Sequence, residues 1–148
     1  IFLFLALVFI QIIIGAFVSG MDAGKIYNSW PLMGSSFFPN DNEIINFFKL
    51  SAFSDPSLVQ FMHRNLAYII LVYYLIILFK IYNNKLFNLY FAINLVGLFL
   101  FIQIILGIFT ILSGVQIYLA SMHQISSIFL VSSSVYLFYL TTNRRPSN

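Results

Sequence analysis

Apolar residues run along this chain in four long stretches, each broken by only a few polar side chains. No Asp, Glu, Lys or Arg precedes Asp22, and none falls between Lys85 and Arg144, a run of 58 residues. A membrane-spanning helix needs roughly 20 apolar residues, so that run holds two of them. The whole pattern predicts four helices, at about 1–20, 57–81, 88–112 and 117–140. Asp55, Pro56 and Ser57 make a good start for the second, with a capping carboxylate and then Pro in the first turn. Asn83, Asn84 and Lys85 separate the second from the third, and Ser113 with Gly114 separates the third from the fourth. The expected fold class is all-α, a polytopic membrane four-helix bundle.

An internal repeat refines that picture. Residues 9–18 read FIQIIIGAFV and residues 101–110 read FIQIILGIFT, with seven of ten positions identical. Gln11 matches Gln103, and Gly15 matches Gly107. Each copy is followed by a helix with an early histidine. The expectation is two helical hairpins in pseudo-repeat, related by an axis along the membrane normal.

Charge sets the orientation. Lys80, Lys85, Arg144 and Arg145 flank the short second loop and the C-terminus, with no acid among them. The segment 21–57 carries Lys25 and Lys49 against Asp22, Asp41, Glu43 and Asp55. By the positive-inside rule, residues 82–87 and the C-terminus face the cytoplasm or matrix, and the loop 21–56 faces outward. The second and fourth helices then both run from outside to inside. His63 lies six residues after Ser57 and His123 six after Ile117, which puts both about 9 Å into the membrane from the outer side.

Composition agrees: the chain of 148 residues is 61% hydrophobic and 7% charged, so an integral membrane protein is expected. There is no cysteine, which removes disulfides, iron–sulfur clusters and thiolate metal sites together. The net charge of +3 follows from the topology and gives no reason to expect a nucleic-acid partner. The chain opens on Ile1 inside an apolar stretch, without initiator Met, basic n-region or cleavage site. A fragment of a longer protein is expected rather than a signal peptide. Segment 21–57 is too long for a simple connector. Its Ile44, Ile45, Phe47 and Phe48 suit a short helix on the bilayer surface, and the segment reads equally as an aromatic interfacial loop or as a lid.

An imidazole at membrane depth costs free energy unless it has a partner or a role. Two facing imidazoles are what a haem iron takes as its two axial ligands. His63 and His123 are therefore the expected iron ligands, with Phe and Ile as walls. Gly15 and Gly107 are expected where a macrocycle would touch backbone. Arg64, next to His63 and near the outer interface, is a candidate for the propionates. Snorkelling to lipid phosphates or pairing with Asp22 or Asp55 are the other roles open to it. Gln11 and Gln103 are expected to join helices by hydrogen bonds, with a role behind the imidazoles as the second reading. No phosphate loop, dinucleotide fingerprint or nucleophile triad is visible.

Three segments carry a family resemblance: GMDAGKIYNSWPLMG (20–34), QFMHRNLAY (60–68) and ASMHQ (120–124). Together they resemble the C-terminal half of haem A synthase, in its cysteine-free alphaproteobacterial and mitochondrial form. The resemblance implies one half of an eight-helix protein that oxidises a ring methyl of haem O to a formyl group, giving haem A for terminal oxidases. It implies that His63 and His123 are axial ligands of a second haem site, here holding haem b, and that Arg64 matches the arginine after the first of them. It implies haem O as substrate, an electron partner of unknown identity, and lipid as surroundings. Association with haem O synthase or a second copy also enters as an expectation. So does a place in the bacterial inner membrane, with the histidines toward the periplasm. The chain departs from the family pattern at Gln60, where the family's other half has a glutamate. The catalytic residues are therefore expected in the missing N-terminal half. The alternative reading is a stand-alone b-type cytochrome that passes electrons, and a third is a haem-free subunit that uses the histidines for packing.

Overall fold

The structure is a computed structural model and describes residues 1–143. Arg144 and Arg145, part of the charge argument, lie outside the described residues. Five α-helices form: α1 (Phe2–Gly20), α2 (Ile44–Phe47), α3 (Pro56–Asn83), α4 (Tyr90–Leu112) and α5 (Ile117–Thr142). The four long ones are long and apolar enough to cross a membrane. In lipid the helix satisfies every backbone polar group within its own segment, which is why an apolar run of this length adopts it.

Local signals set the ends. Asp55 accepts a hydrogen bond from the Leu58 amide at 3.0 Å, capping α3, and Pro56 takes the first turn. α3 continues to Asn83, two residues past the expected end. A 3-10 turn, Phe87–Leu89, leads into α4. The α4–α5 turn puts Gly114 at φ 70° and Val115 at φ 62°. For a β-branched residue that is a strained backbone. Tertiary packing holds it: the Val115 side chain lies where a Cβ on Gly24 would approach to 2.9 Å.

α1 lies along α3 and α4 along α5, while α1 also meets α5 and α3 meets α4. The helices thus form a ring in the order α1, α3, α4, α5. α3 and α5 face each other across it, and α1 and α4 occupy the other diagonal. Packing is uneven along the bundle axis. The core holds Phe4, Val8, Ile70, Tyr74, Ile77, Ile81, Leu89, Ala92, Ile93, Val96, Leu100, Leu130 and Leu137. All lie toward the end with the short α3–α4 connection. Toward the other end α1 buries nothing after Val8 and α5 buries nothing before Leu130. The half of the ring at the α4–α5 turn, the outer half by the charge argument, is thus not closed by apolar packing, and the two histidines lie there.

The tightest helix contact fixes the inner half. A Cβ on Gly97 would sit 2.1 Å from the Tyr74 hydroxyl oxygen and 2.8 Å from Cζ. That hydroxyl donates to Ile93 O at 3.4 Å. Gly97→Ala should therefore force α3 and α4 apart and destabilise the protein by about 1–3 kcal/mol. Thermal unfolding in detergent checks this, and adding Tyr74→Phe should recover part of the loss by removing the clashing oxygen.

Candidate functional site

His63 and His123 project from α3 and α5, the facing diagonal of the ring. Each is about two turns from the outer start of its helix, so the depths match. Both side chains are half-buried, with the Nδ1 atoms buried and without hydrogen-bond partners.

The repeat on the other diagonal supports both. Gln11 on α1 donates from Nε2 to the backbone carbonyl of His63 at 3.0 Å. Gln103 on α4 donates from Nε2 to the backbone carbonyl of His123, also at 3.0 Å. One turn further, a Cβ on Gly15 would lie 3.1 Å from His63 Cε1, and one on Gly107 would lie 3.2 Å from His123 Cε1. The spacing Gln-x-x-x-Gly places amide and glycine on one helix face, so one holds the histidine backbone while the other makes room for its ring. The protein atoms nearest these glycines are those of the imidazoles. The glutamines do join helices, and they do so at the histidines themselves.

Arg64 is buried and turned away from every carboxylate. Its Nη1 donates to Ser29 O at 2.9 Å and Leu32 O at 3.3 Å, and its Nη2 to Tyr27 O at 2.9 Å. Pairing with Asp22 or Asp55 does not occur. Asp22 meets Lys25 at 2.9 Å, and Asp55 accepts from Asn42 and the Leu58 amide. Snorkelling also does not describe it, because the guanidinium sits under protein backbone. Gln60 adds a fourth bond, donating to Tyr27 O at 3.0 Å. The sequence pointed to Arg64 as a residue that matters, but nothing in its spacing revealed that loop carbonyls would surround it.

The loop is thereby fastened at the level of His63. Further ties spread outward. Asn28 donates to Ile111 O at 3.1 Å, joining the loop to the end of α4. Phe61 packs edge-on against Phe37, Phe38 and Phe47. α2 is one turn long and leaves Ile44, Ile45 and Phe48 exposed. Asp41 accepts from Ser57 Oγ at 2.6 Å and from the Tyr27 hydroxyl at 2.9 Å. Burial pushes the Asp41 carboxyl up, but these bonds outweigh it and hold the group below its ordinary range. Burial first, and then the bond to Asp41, pushes the Tyr27 phenol above its ordinary range.

Among the described residues no three or more His, Cys, Asp or Glu come together. A metal bound by protein ligands alone needs more donors than two imidazoles. A haem iron brings four nitrogens of its own and asks for two axial ligands. Two imidazoles on facing helices, with no third donor among the described residues, fit that group.

The chain matches the family model described as cytochrome oxidase assembly protein over residues 1–135. It belongs to this family. Among curated relatives, it is 45% identical over 139 residues to "Heme A synthase" of Pelagibacter ubique, covering 94% of this chain and 41% of that one. It is 42% identical over 142 residues to the protein of that name from Rickettsia bellii (94% and 41%) and 40% identical over 139 residues to that from Rickettsia africae (92% and 40%). The chain thus spans about two fifths of the length of these relatives. No solved structure matches it.

Two tests follow from the loop. Arg64→Leu removes three charge-assisted bonds to loop carbonyls and should lower the cost of opening residues 27–32 by about 3 kcal/mol. Arg64→Lys, a point donor without the planar fork, should restore less than half. Hydrogen exchange across the loop reads both. A carboxyl held low in the folded state lends stability that is full above its unfolded pKa and lost as pH falls through its folded one. The Asp41 tie should therefore fail only as pH drops below about 4. Pepsin cleavage within 21–55 should rise there, and Asp41→Ala should flatten that rise.

Proposed function

We propose that this chain is the haem-carrying half of a haem A synthase. His63 and His123 would hold a haem b in the outer half of the bundle. The observation that carries the reading is the pair of imidazoles at equal depth on facing helices, each backed by its own Gln and Gly. The family membership and the names of the relatives support the assignment of the activity: oxidation of the haem O ring methyl to a formyl group. A haem held by these two histidines would supply one-electron redox chemistry.

This chain's own residues bind and position. His63 and His123 offer ring nitrogens from opposite sides. Gln11 and Gln103 lock the backbone of each ligand, and Gly15 and Gly107 let the rings lie close to the neighbouring helices. Arg64 and Gln60 hold the loop across the outer end, which limits water at the site. The Arg64 terminal nitrogens are engaged by loop carbonyls, so any propionate contact falls to its Nε, which is buried without a partner. No acid lies among these residues. Proton transfer and substrate oxidation are assigned to the part of the relatives' length that this chain does not span. Lys80 and Lys85 favour an orientation with the histidines toward the periplasmic side of a bacterial inner membrane. Association with haem O synthase or with a second copy is part of the same reading.

In the full-length protein, His63→Leu and His123→Leu should each abolish or convert the low-spin visible spectrum of one haem, oxidised and dithionite-reduced. An unchanged spectrum in both would rule out the ligation. Gln60→Ala should keep substantial conversion of haem O to haem A. Complete loss with haem still bound would place the chemistry in this half instead.

A further inference from the structure

The two ends of the long loop are held differently. Tyr27, Ser29 and Leu32 give their carbonyls to Arg64, whereas the stretch from Ile44 to Leu50 turns large apolar side chains outward. Leu50 is 87% exposed and Phe48 76%, with Ile44 and Ile45 exposed beside them. Water around four such side chains in one short run is unfavourable, so the patch asks for a cover.

Its place along the bundle says what surrounds it. Phe47 of α2 packs edge-on against Phe61, ring centroids 5.7 Å apart. Phe61 lies five residues past Pro56, about 8 Å along α3. α2 therefore lies beside the first turns of a membrane-length helix, not beyond its end. Phe53 gives a second anchor, its ring 6.4 Å from that of Phe17 in the last turn of α1. Phe17 is itself exposed, on a helix apolar enough to cross a membrane. The outward face of the loop thus continues the apolar outer face of α1.

Charge separates lipid from protein as the cover. Lys49 stands between Phe48 and Leu50, exposed, and its ammonium donates to Asn46 Oδ1 at 2.8 Å. Lysine is depleted from the cores of protein interfaces, because its strongly hydrated head resists burial. At a bilayer surface its stem lies along apolar neighbours while the head stays among the headgroups. Glu43 and Lys49 bracket the run with opposite charges, so the attraction is apolar and calls for no anionic lipid.

We propose that this stretch is a membrane anchor, with Ile44, Ile45, Phe48 and Leu50 entering the headgroup–acyl boundary of the leaflet on the loop's side. The loop is then bound on two sides, to the bundle through residues 27–32 and to lipid through the α2 region. The inference concerns only the loop and the bilayer, so it stands apart from the haem reading.

The test uses the full-length protein, freed of any other cysteine and reconstituted into phosphatidylcholine vesicles. A nitroxide is attached at Phe48→Cys, at Leu50→Cys and, as a reference elsewhere in the same loop, at the exposed Ser35→Cys. Relaxation of the label by oxygen, which concentrates in lipid, is compared with relaxation by a water-soluble nickel chelate. The labels at 48 and 50 should respond more to oxygen than to nickel, and the label at 35 should do the reverse. Adding anionic lipid should leave that order unchanged. A response to nickel at 48 and 50 equal to that at 35 would put the patch in water and overturn the proposal. Shielding of 48 and 50 from both relaxants would also overturn it, by revealing a protein cover, either the rest of the full-length chain or a second copy. Thermal unfolding checks that each labelled protein is folded, and Ile45→Cys replaces a position that fails.

Discussion

Two side-chain amides, each bonded to the backbone carbonyl of a histidine on the next helix, set the geometry on which this bundle depends. Helices in lipid gain no hydrophobic drive toward one another, so close approach and hydrogen bonds decide their register. Gln11 and Gln103 supply that register at one level of the membrane. Gly15 and Gly107, one turn away, supply the close approach. A shift of either helix by one residue would carry the amide off the carbonyl and turn the glycine away from the ring. The histidines are placed because their neighbours have no other arrangement that satisfies both contacts.

The bundle divides along its axis for the same reason. The inner half, with Gly97 against Tyr74, packs as an apolar core and fixes the helix spacing. The outer half cannot pack that way, because it must accommodate two imidazoles and two amides. Its stability comes from outside the ring. Arg64 and Gln60 together give four bonds to carbonyls of Tyr27, Ser29 and Leu32, so a charged side chain that would be costly in lipid is instead solvated by loop backbone. The loop is then pinned to α3 at one end and to the α4–α5 turn at the other, through Asn28 and Val115. This arrangement ties the loop across the outer end of the bundle.

Much of this was legible in the sequence because the signals are local or periodic. Length and apolarity alone mark the four helices, and the Asp55–Pro56 start marks the beginning of α3. The repeat, with its paired Gln and Gly, identified the positions that support the histidines. What those positions touch was less legible. The pattern of Gly15 and Gly107 records a need for space, and the protein atoms nearest them are those of the His63 and His123 rings. Arg64 was read through its charge, with carboxylates or propionates as partners. Its partners are carbonyls of residues some thirty positions earlier, and a carbonyl is present at every residue and leaves no trace in composition. The short α2 follows from Ile44 to Phe48, but the aromatic cluster that seats it on Phe61 depends on how the loop folds back.

The absence of an acid among these residues carries its own argument. A carboxylate beside two imidazoles in a low-dielectric bundle would pull a proton onto one of them, and a protonated ring cannot ligate a metal. Gln60 stands where the resemblance has glutamate in the family's other half, and it spends its amide on Tyr27 O. Exchanging an acid for an amide keeps the hydrogen bond to the loop while removing the charge. With amides in place of an acid, the surroundings of His63 and His123 favour neutral imidazoles.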